Sequence, residues 1–351
     1  MKMKSLLYVF AIGFGILGCS KSSERPVNTS GYNDIYIAGA EASGISSDKA
    51  VYWKNGTAYE LTDGTNPAEA MDIYVSDNND VYVAGCEENS NGKEIAKYWK
   101  NGVAVTLGNG ITLSIANSIF VSGNDVYVGG YEANNAGIDV AKYWKNGTAI
   151  SLTDGTNHAE IENIFISGND IYACGWEKNT NFFDVAKYWK NGTAVSLSDG
   201  TKNCGAATIL ISGNDIHVCG TEQSTSSGTY VAKYWKNGLI TNLTDGTFPA
   251  ETYDMAISSG DVYITGYHKV NSVNDDAKAV YWKNGTEIPL TAGNDETFAY
   301  GIAINGDDIV VSGTTYSSGT GNATAKYWKN GAVANITDGS TYANLKTVFL
   351  K

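Results

Sequence analysis

A five-residue motif, Tyr-Trp-Lys-Asn-Gly, recurs seven times along this 351-residue chain and constrains its fold more than any other feature. The copies begin at positions 52, 98, 143, 188, 234, 281 and 327. Successive copies are therefore 45–47 residues apart, a longer period than most helical repeats have. So regular a period predicts one repeat domain rather than several unrelated domains.

Each unit contains four short β-rich segments separated by turn-forming residues. In the third unit, residues 118–121 and 126–131 flank Ser-Gly-Asn-Asp, and residues 141–145 and 148–152 flank Asn-Gly. Asn-Gly between two β segments is typical of a type I′ hairpin turn, because both residues tolerate a positive φ. No segment of the unit has an apolar period of helical type. We therefore predict four antiparallel strands in each unit, named a to d in chain order.

Seven such units resemble the blades of a β-propeller. The resemblance implies an all-β, seven-bladed ring, but no motif of the WD, kelch or sialidase families is present. A β-solenoid and a linear array of sheets are the alternatives. The first unit lacks an apolar strand a, whereas residues 347–350 form an extra one after the last unit. We predict that the C-terminal strand completes the first blade and closes the ring, which would place Phe349 beside Tyr36.

The N-terminus has the pattern of an export signal, with Lys2 and Lys4 ahead of an apolar stretch too short to span a bilayer. The segment 16–19, Ile-Leu-Gly-Cys, resembles a bacterial lipobox, which implies cleavage before Cys19 and acylation of its thiol. An ordinary secretory signal with an incidental cysteine is the alternative. The expected organisation is a signal peptide (1–18), a lipid-anchored flexible linker (19–31) and the propeller (32–351). The expected location is the bacterial outer membrane or cell surface.

Charge restricts the classes of partner. The chain has a formal net charge of −13, and its only arginine is Arg25, ahead of the first repeat. A negative surface repels phosphate backbones, which argues against nucleic acid as a partner. Arginine is also the side chain that binds carboxylates and phosphates bidentately, so acidic sugars and phosphoesters are disfavoured as ligands.

The variable loops of the repeats are all predicted to lie on one face. The a–b and c–d turns are short and nearly invariant, whereas the b–c and d–a loops differ in every unit, and loops on a rigid scaffold are frequent binding sites. On this face the start of strand a is expected to line the mouth of the central channel. Its acidic members are Glu69, Asp72, Glu251 and Asp254. These oxygens would suit hydroxyl-rich neutral ligands or Ca²⁺, although no Asp-x-Asp-x-Asp-Gly loop supports calcium, and a solvated acidic rim is the alternative.

One unit combines carboxylates with unusual aromatic residues on the same face. They are His158, Glu160, Glu162, Trp176, Phe182 and Phe183. Aromatic rings beside carboxylates suit a neutral glycan or a peptide, and we predict a ligand-binding site there. The alternative is that Phe182 and Phe183 pack under their own loop.

The other aromatic residues and the cysteines are expected to be structural. We predict that the seven motif tryptophans pack between blades, and that Cys86, Cys174, Cys204 and Cys219 are buried free thiols. No catalytic motif is recognisable. The sequence thus favours a membrane-tethered binding protein. A glycan-active hydrolase or lyase that uses mouth carboxylates is the alternative, and a purely structural surface protein remains open.

Overall fold

The computed structural model describes residues 34–42, 48–224, 228–269, 277–291, 295–316, 323–340 and 342–351. Within these ranges, 28 strands form seven separate four-stranded sheets. Every pairing between neighbouring strands of a sheet is antiparallel, as predicted. The described part of the chain contains no helix that is long and apolar enough to cross a membrane.

The strands follow one another blade by blade. Blade 1 contains β1 (Ile35–Ala42), β2 (Asp48–Lys54) and β3 (Thr57–Glu60). Blade 2 contains β4 (Ala68–Val75), β5 (Val81–Glu88), β6 (Glu94–Lys100) and β7 (Val103–Thr106). Blade 3 contains β8 (Ser114–Ser122), β9 (Asp125–Ala133), β10 (Asp139–Lys145) and β11 (Thr148–Ser151). Blade 4 contains β12 (Ala159–Ser167), β13 (Asp170–Lys178), β14 (Asp184–Lys190) and β15 (Thr193–Ser196).

The remaining blades have the same order. Blade 5 contains β16 (Cys204–Ser212), β17 (Asp215–Gln223), β18 (Tyr230–Lys236) and β19 (Leu239–Asn242). Blade 6 contains β20 (Ala250–Ser258), β21 (Asp261–Lys269), β22 (Ala277–Lys283) and β23 (Thr286–Pro289). Blade 7 contains β24 (Glu296–Asn305), β25 (Asp308–Tyr316), β26 (Ala323–Lys329) and β27 (Ala332–Asn335). The last strand is β28 (Ala343–Leu350).

The ring is closed by the two ends of the repeat region. β28 pairs with β1 in the sheet order β28-β1-β2-β3, and Tyr36 lies opposite Phe349. The first strands of the blades also contact one another in a full cycle, β4-β8-β12-β16-β20-β24-β28 and back to β4. Strand a is therefore the innermost strand of each blade and surrounds a central channel. The prediction of a closed seven-bladed propeller is confirmed.

The seven Asn-Gly turns are type I′, as predicted. The asparagines have φ of 49–51° and the glycines 79–83°. Each asparagine side chain also links the c–d turn to the start of strand b, which in blades 2 to 7 follows the a–b turn. In blade 3, Asn146 Oδ1 accepts the amide of Val126 at 2.9 Å, and its Nδ2 donates to Asp125 Oδ1 at 2.8 Å. This side-chain clamp holds the invariant face of each blade together.

The motif tryptophans and the cysteines are buried, as predicted. The seven tryptophans are at most 2% exposed, and Trp99, Trp144, Trp235 and Trp282 belong to the largest apolar cluster of the molecule. The thiols of Cys86, Cys174, Cys204 and Cys219 are buried and free.

A β-bulge interrupts the innermost strand of every blade at the same register position. In β12, for example, Ile161 pairs with Gly175 and Asn163 with Cys174, so Glu162 is the extra residue. The irregular positions are Met71, Asn117, Glu162, Ala207, Tyr253, Tyr300 with Gly301, and Lys346. Because a bulge redirects the residues around it, it decides which side chains of strand a meet the neighbouring blade.

Candidate functional site

The most unusual backbone on the variable face is in the loop between β13 and β14. Phe182 has a φ of +66°, and its amide donates to Asn179 O at 3.0 Å. The equivalent positions of blades 2, 3 and 5 are Gly92, Gly137 and Gly228, with φ of 70–78°. A left-handed conformation costs a residue with a Cβ roughly 1–2 kcal/mol. Of these four blades, only blade 4 has a residue with a Cβ in this left-handed conformation.

The Phe182 ring gains little from packing in return. Its side chain is 80% exposed, the most exposed of the large hydrophobic residues in the described chain. Phe183, the next residue, is half-buried, and its carbonyl accepts the amide of Asn179 at 2.9 Å. The alternative that both rings pack under the loop therefore does not apply to Phe182.

We define the channel mouth as the end of the innermost strands on the variable-loop face, at residues 69, 115, 160, 205, 251, 298 and 344. Trp176 lies on the adjacent strand β13, next to this end. It is the cross-strand partner of Glu160 in β12. Its indole N–H donates to Glu162 Oε1 at 3.3 Å. The Lys178 amine lies 5.4 Å from the centre of the indole ring, a cation–π distance. The structure thus joins one aromatic ring to two carboxyl groups.

Both carboxyl groups have raised pKa values. Burial raises the pKa of Glu160 to about 8, and the carboxylates of Asp139 and Asp184 add to the effect. Burial also holds the pKa of Glu162, which is 2% exposed, well above its usual range, with Glu160 as the second cause. Loss of water disfavours the charged form of a carboxyl group, so protonated carboxyls persist here towards neutral pH.

His158 lies just before β12 and contacts the neighbouring blade. Its Nδ1 is 2.8 Å from Asp139 Oδ2, and the amide of Asp139 is 3.2 Å from the same nitrogen. Asp139 begins β10, so this contact joins blade 3 to blade 4 beside Glu160. His158 therefore links blade 3 to blade 4.

The acidic residues predicted at the channel mouth divide into two groups. Glu69 and Glu251 lie there: Glu69 Oε1 is 2.9 Å from Lys346 Nζ, and Glu251 Oε2 is 3.3 Å from Tyr253 Oη. Asp72 and Asp254 differ from the expectation, because both are 0% exposed. The bulge turns them into the wall between blades, so they do not present oxygens to a ligand at the mouth.

Asp72 and Asp254 belong to a buried hydrogen-bonded belt that sequence reasoning missed. Asp72 Oδ2 accepts the Ile119 amide of the next blade at 2.8 Å, and Asp254 Oδ2 accepts that of Ile302 at 2.9 Å. Asn163 Oδ1 accepts the Ile209 amide in the same way at 3.3 Å. For Asp72, the loss of water on burial outweighs the hydrogen bonds that its carboxylate accepts, and it raises the pKa to about 7. The belt joins successive blades around the channel.

No metal centre emerges from the described residues, which contain no group of three or more His, Cys, Asp and Glu side chains able to hold an ion. The structure therefore adds no support for calcium at the mouth. The chemistry that the described mouth offers is that of aromatic faces, hydroxyl groups and carboxyl groups.

Comparison with known proteins supports the fold alone. No family model matches the chain, and no curated protein matches it. Among solved structures it is similar to the β-propeller domain of the Trilobed protease from Pyrococcus furiosus, which has an open velcro topology. The TM-score is 0.52 at 11% identity, over 90% of this chain and 95% of that one. The ring described above is instead closed by β28.

Two peptidases are also similar to this chain over part of their length. A puromycin-hydrolyzing peptidase of Mycobacterium tuberculosis has a TM-score of 0.56 at 11% identity, over 89% of this chain and 52% of that one. The Pyrococcus horikoshii acylaminoacyl peptidase has a TM-score of 0.50 at 12% identity, over 88% and 53%. This chain therefore spans about half the length of either peptidase.

Proposed function

We propose that this protein is an exported lipoprotein whose propeller binds a neutral glycan at the blade-4 patch, defined as His158, Glu160, Glu162, Trp176, Phe182 and Phe183. The observation that carries the proposal is Phe182. Its backbone is strained and its ring is 80% exposed, whereas the equivalent loops of blades 2, 3 and 5 have glycine at this position. Backbone strain of this kind is typical of functional sites, where the residue is kept for ligand binding and not for the stability of the fold. An exposed aromatic face is the group on which a sugar ring stacks.

The polar groups of the patch favour a neutral ligand. The Glu160 carboxyl, whose pKa is raised to about 8, can donate as well as accept hydrogen bonds to sugar hydroxyls, whereas the buried Glu162 positions the Trp176 ring through its indole N–H. The chain has a net charge of −13 and no arginine after Arg25, so a polyanionic glycan would be repelled. A peptide ligand is the other class that aromatic and carboxyl groups could bind.

The binding test uses a glycan array and a peptide array with the full mature protein. We expect neutral glycans to bind and both Phe182→Ala and Trp176→Ala to weaken that binding. The matched control is Tyr59→Ala, which removes a ring that is 43% exposed on the outer strand of blade 1. Binding to peptides alone, or glycan binding that neither patch variant changes, would contradict the proposal.

A glycan-active enzyme is the second candidate, because of Glu160. A carboxyl group with a pKa of about 8 keeps its proton at neutral pH, which is what a general acid at a glycosidic bond requires. Glu160→Gln would then abolish turnover of a polysaccharide panel and leave binding in place. Absence of turnover by the wild-type protein on every member of the panel would reject this candidate.

The membrane anchor depends on the sequence, because Cys19 and the rest of residues 1–33 lie outside the described residues. The lipobox-like segment ending at Cys19 supports acylation, and the polar linker that follows would hold the propeller near the membrane surface. Wild-type protein expressed in bacteria should partition into the detergent phase, and a Cys19→Ser variant should not. A wild type found wholly in the aqueous phase would contradict the anchor.

A further inference from the structure

Six aromatic residues form a continuous arc across the opposite side of the channel mouth. They extend from blade 6 through blade 7 to blade 1, and neighbouring ring centres are 5.0–6.4 Å apart. We name this set the aromatic arc: Tyr253, Tyr267, Phe298, Tyr300, Tyr316 and Tyr342. Tyr253 and Tyr300 are largely buried, whereas Phe298, Tyr316 and Tyr342 are only half-buried. Phe298 occupies one of the mouth positions, so the partly exposed portion of the arc lies at the mouth.

The arc departs from the repeat, although Tyr253 and Tyr300 also pack against each other between blades 6 and 7. Only at the position of Tyr267 do other blades have aromatic residues, Tyr131 in blade 3 and Trp176 in blade 4. Where blades 6 and 7 have Tyr253 and Tyr300, the other blades have Met71, Asn117, Glu162, Ala207 and Lys346. Where blade 7 has Phe298, blades 3, 4 and 5 have Ile115, Glu160 and Gly205.

The motif tryptophans show that the main packing positions keep one residue type in every blade. Four members of the arc, Tyr253, Tyr267, Phe298 and Tyr300, instead form an apolar cluster separate from the main core. Aromatic residues that leave the repeat pattern, meet in one place and stay partly exposed are typical of an interaction site.

Polar groups lie along the edge of the arc. Tyr253 Oη is 3.3 Å from Glu251 Oε2, and Lys346 Nζ is 2.9 Å from Glu69 Oε1 at the blade-1 end. The hydroxyl of Tyr316 is hydrogen-bonded to that of Tyr300. Apolar ring faces beside closely spaced donors and acceptors match a ligand with apolar faces and many hydroxyl groups. The acidic mouth offers no guanidinium group for an anionic ligand.

We infer that the aromatic arc is a second carbohydrate subsite, where neutral sugar residues stack on Phe298 and Tyr342. This inference rests on the proposed function, because the subsite would hold a distant part of the glycan chain that the blade-4 patch binds. A chain that reaches both subsites binds the second one intramolecularly, so its affinity exceeds that of a short fragment. Affinity should therefore rise with the length of the oligosaccharide.

The experiment compares the affinities of disaccharides and hexasaccharides by calorimetry. The probes are neutral β-glucan, α-glucan, xylan and mannan fragments, and the variants are Phe298→Ala and Tyr342→Ala, with Tyr59→Ala as control. We expect each arc variant to weaken hexasaccharide binding by about tenfold, the order of a single interfacial hot spot, and to leave disaccharide binding unchanged. If an alanine variant fails to fold, Tyr342→Leu removes the aromatic face and retains apolar volume.

The outcomes separate the two proposals. If Trp176→Ala and Phe182→Ala abolish binding while the arc variants bind the hexasaccharide as the wild type does, the arc is not a subsite and the proposed function stands. If only the arc variants lose binding, the arc is the glycan site and the blade-4 patch is not. A wild-type protein that binds none of the four hexasaccharides overturns both.

Discussion

Replacement of Phe182 by glycine should stabilise the protein while it removes ligand binding. The residue has a φ of +66° in a loop whose counterparts in three other blades place glycine at this position. A phenyl ring that is 80% exposed contributes little buried area to the fold. The wild-type residue thus lowers the free energy of unfolding, and the fold itself gives no reason to keep it.

The size of the effect follows from two opposing terms. Relief of the left-handed conformation gains roughly 1–2 kcal/mol. Glycine gives back roughly 0.5–1 kcal/mol, because it increases the conformational freedom of the unfolded chain. We therefore expect the free energy of unfolding of Phe182→Gly to rise by about 0.5–1 kcal/mol, while glycan binding falls as in Phe182→Ala.

Two matched variants separate strain from the loss of the ring, and urea denaturation measures all three. Phe182→Ala removes the ring but keeps a Cβ at the same φ, so it should lose binding without gaining stability. Gly137→Phe puts a ring into the equivalent loop of blade 3, where a Cβ meets nothing within 4 Å, and should destabilise by about 0.5–1 kcal/mol, since the same two terms apply in reverse. A Phe182→Gly variant less stable than the wild type would refute the reasoning, since it would mean that the ring packs.

Three further outcomes are expected. Phe349→Ala should lower stability by about 3–5 kcal/mol, because this 3% exposed ring belongs to the closing strand; an unchanged melting temperature would argue against closure. The pKa of Asp72 is raised from 3.8 to about 7, so the folded state binds the extra proton and stability from this group is lost as pH rises from about 4 to 7. Asp72→Asn, which reproduces the Asn163 arrangement, should flatten the stability–pH curve in that window, and an unaltered curve would contradict the shift. Asp125→Ala should speed deamidation of Asn146, whose Nδ2 donates to Asp125 at 2.8 Å; equal rates by mass spectrometry would show that the clamp gives no protection.

Local signals in the sequence were sufficient for the architecture. An Asn-Gly turn has one preferred geometry, so its sevenfold recurrence placed the c–d hairpins and counted the blades. The missing first strand and the surplus last one then required closure, and Tyr36 does lie opposite Phe349. The turns depend only on neighbouring residues, and closure follows from counting the strands in each unit. Both can therefore be inferred without knowledge of any tertiary contact.

Part of the candidate site could also be found from the sequence. Alignment of the b–c loops shows glycine at positions 92, 137 and 228 where Phe182 stands, which is a sufficient signal for a left-handed residue with a functional reason. The hydrogen bond from Trp176 to Glu162 could not be found in that way. It depends on the bulge at Glu162, which the local sequence does not mark.

Tertiary structure alone decided which side chains face the channel. Side chains alternate along a strand, so one extra residue in strand a exchanges the faces of all those beyond it. The bulge buried Asp72 and Asp254 between blades, although they were expected to line the channel mouth, and directed Tyr253 and Tyr300 towards each other. The aromatic arc is likewise assembled from residues up to about 90 positions apart, and only the packing of blade 6 on blade 7 and of blade 7 on β28 brings them together. The repeat in the sequence determines the four-stranded structure of each blade, whereas packing between blades determines which side chains lie at the channel mouth.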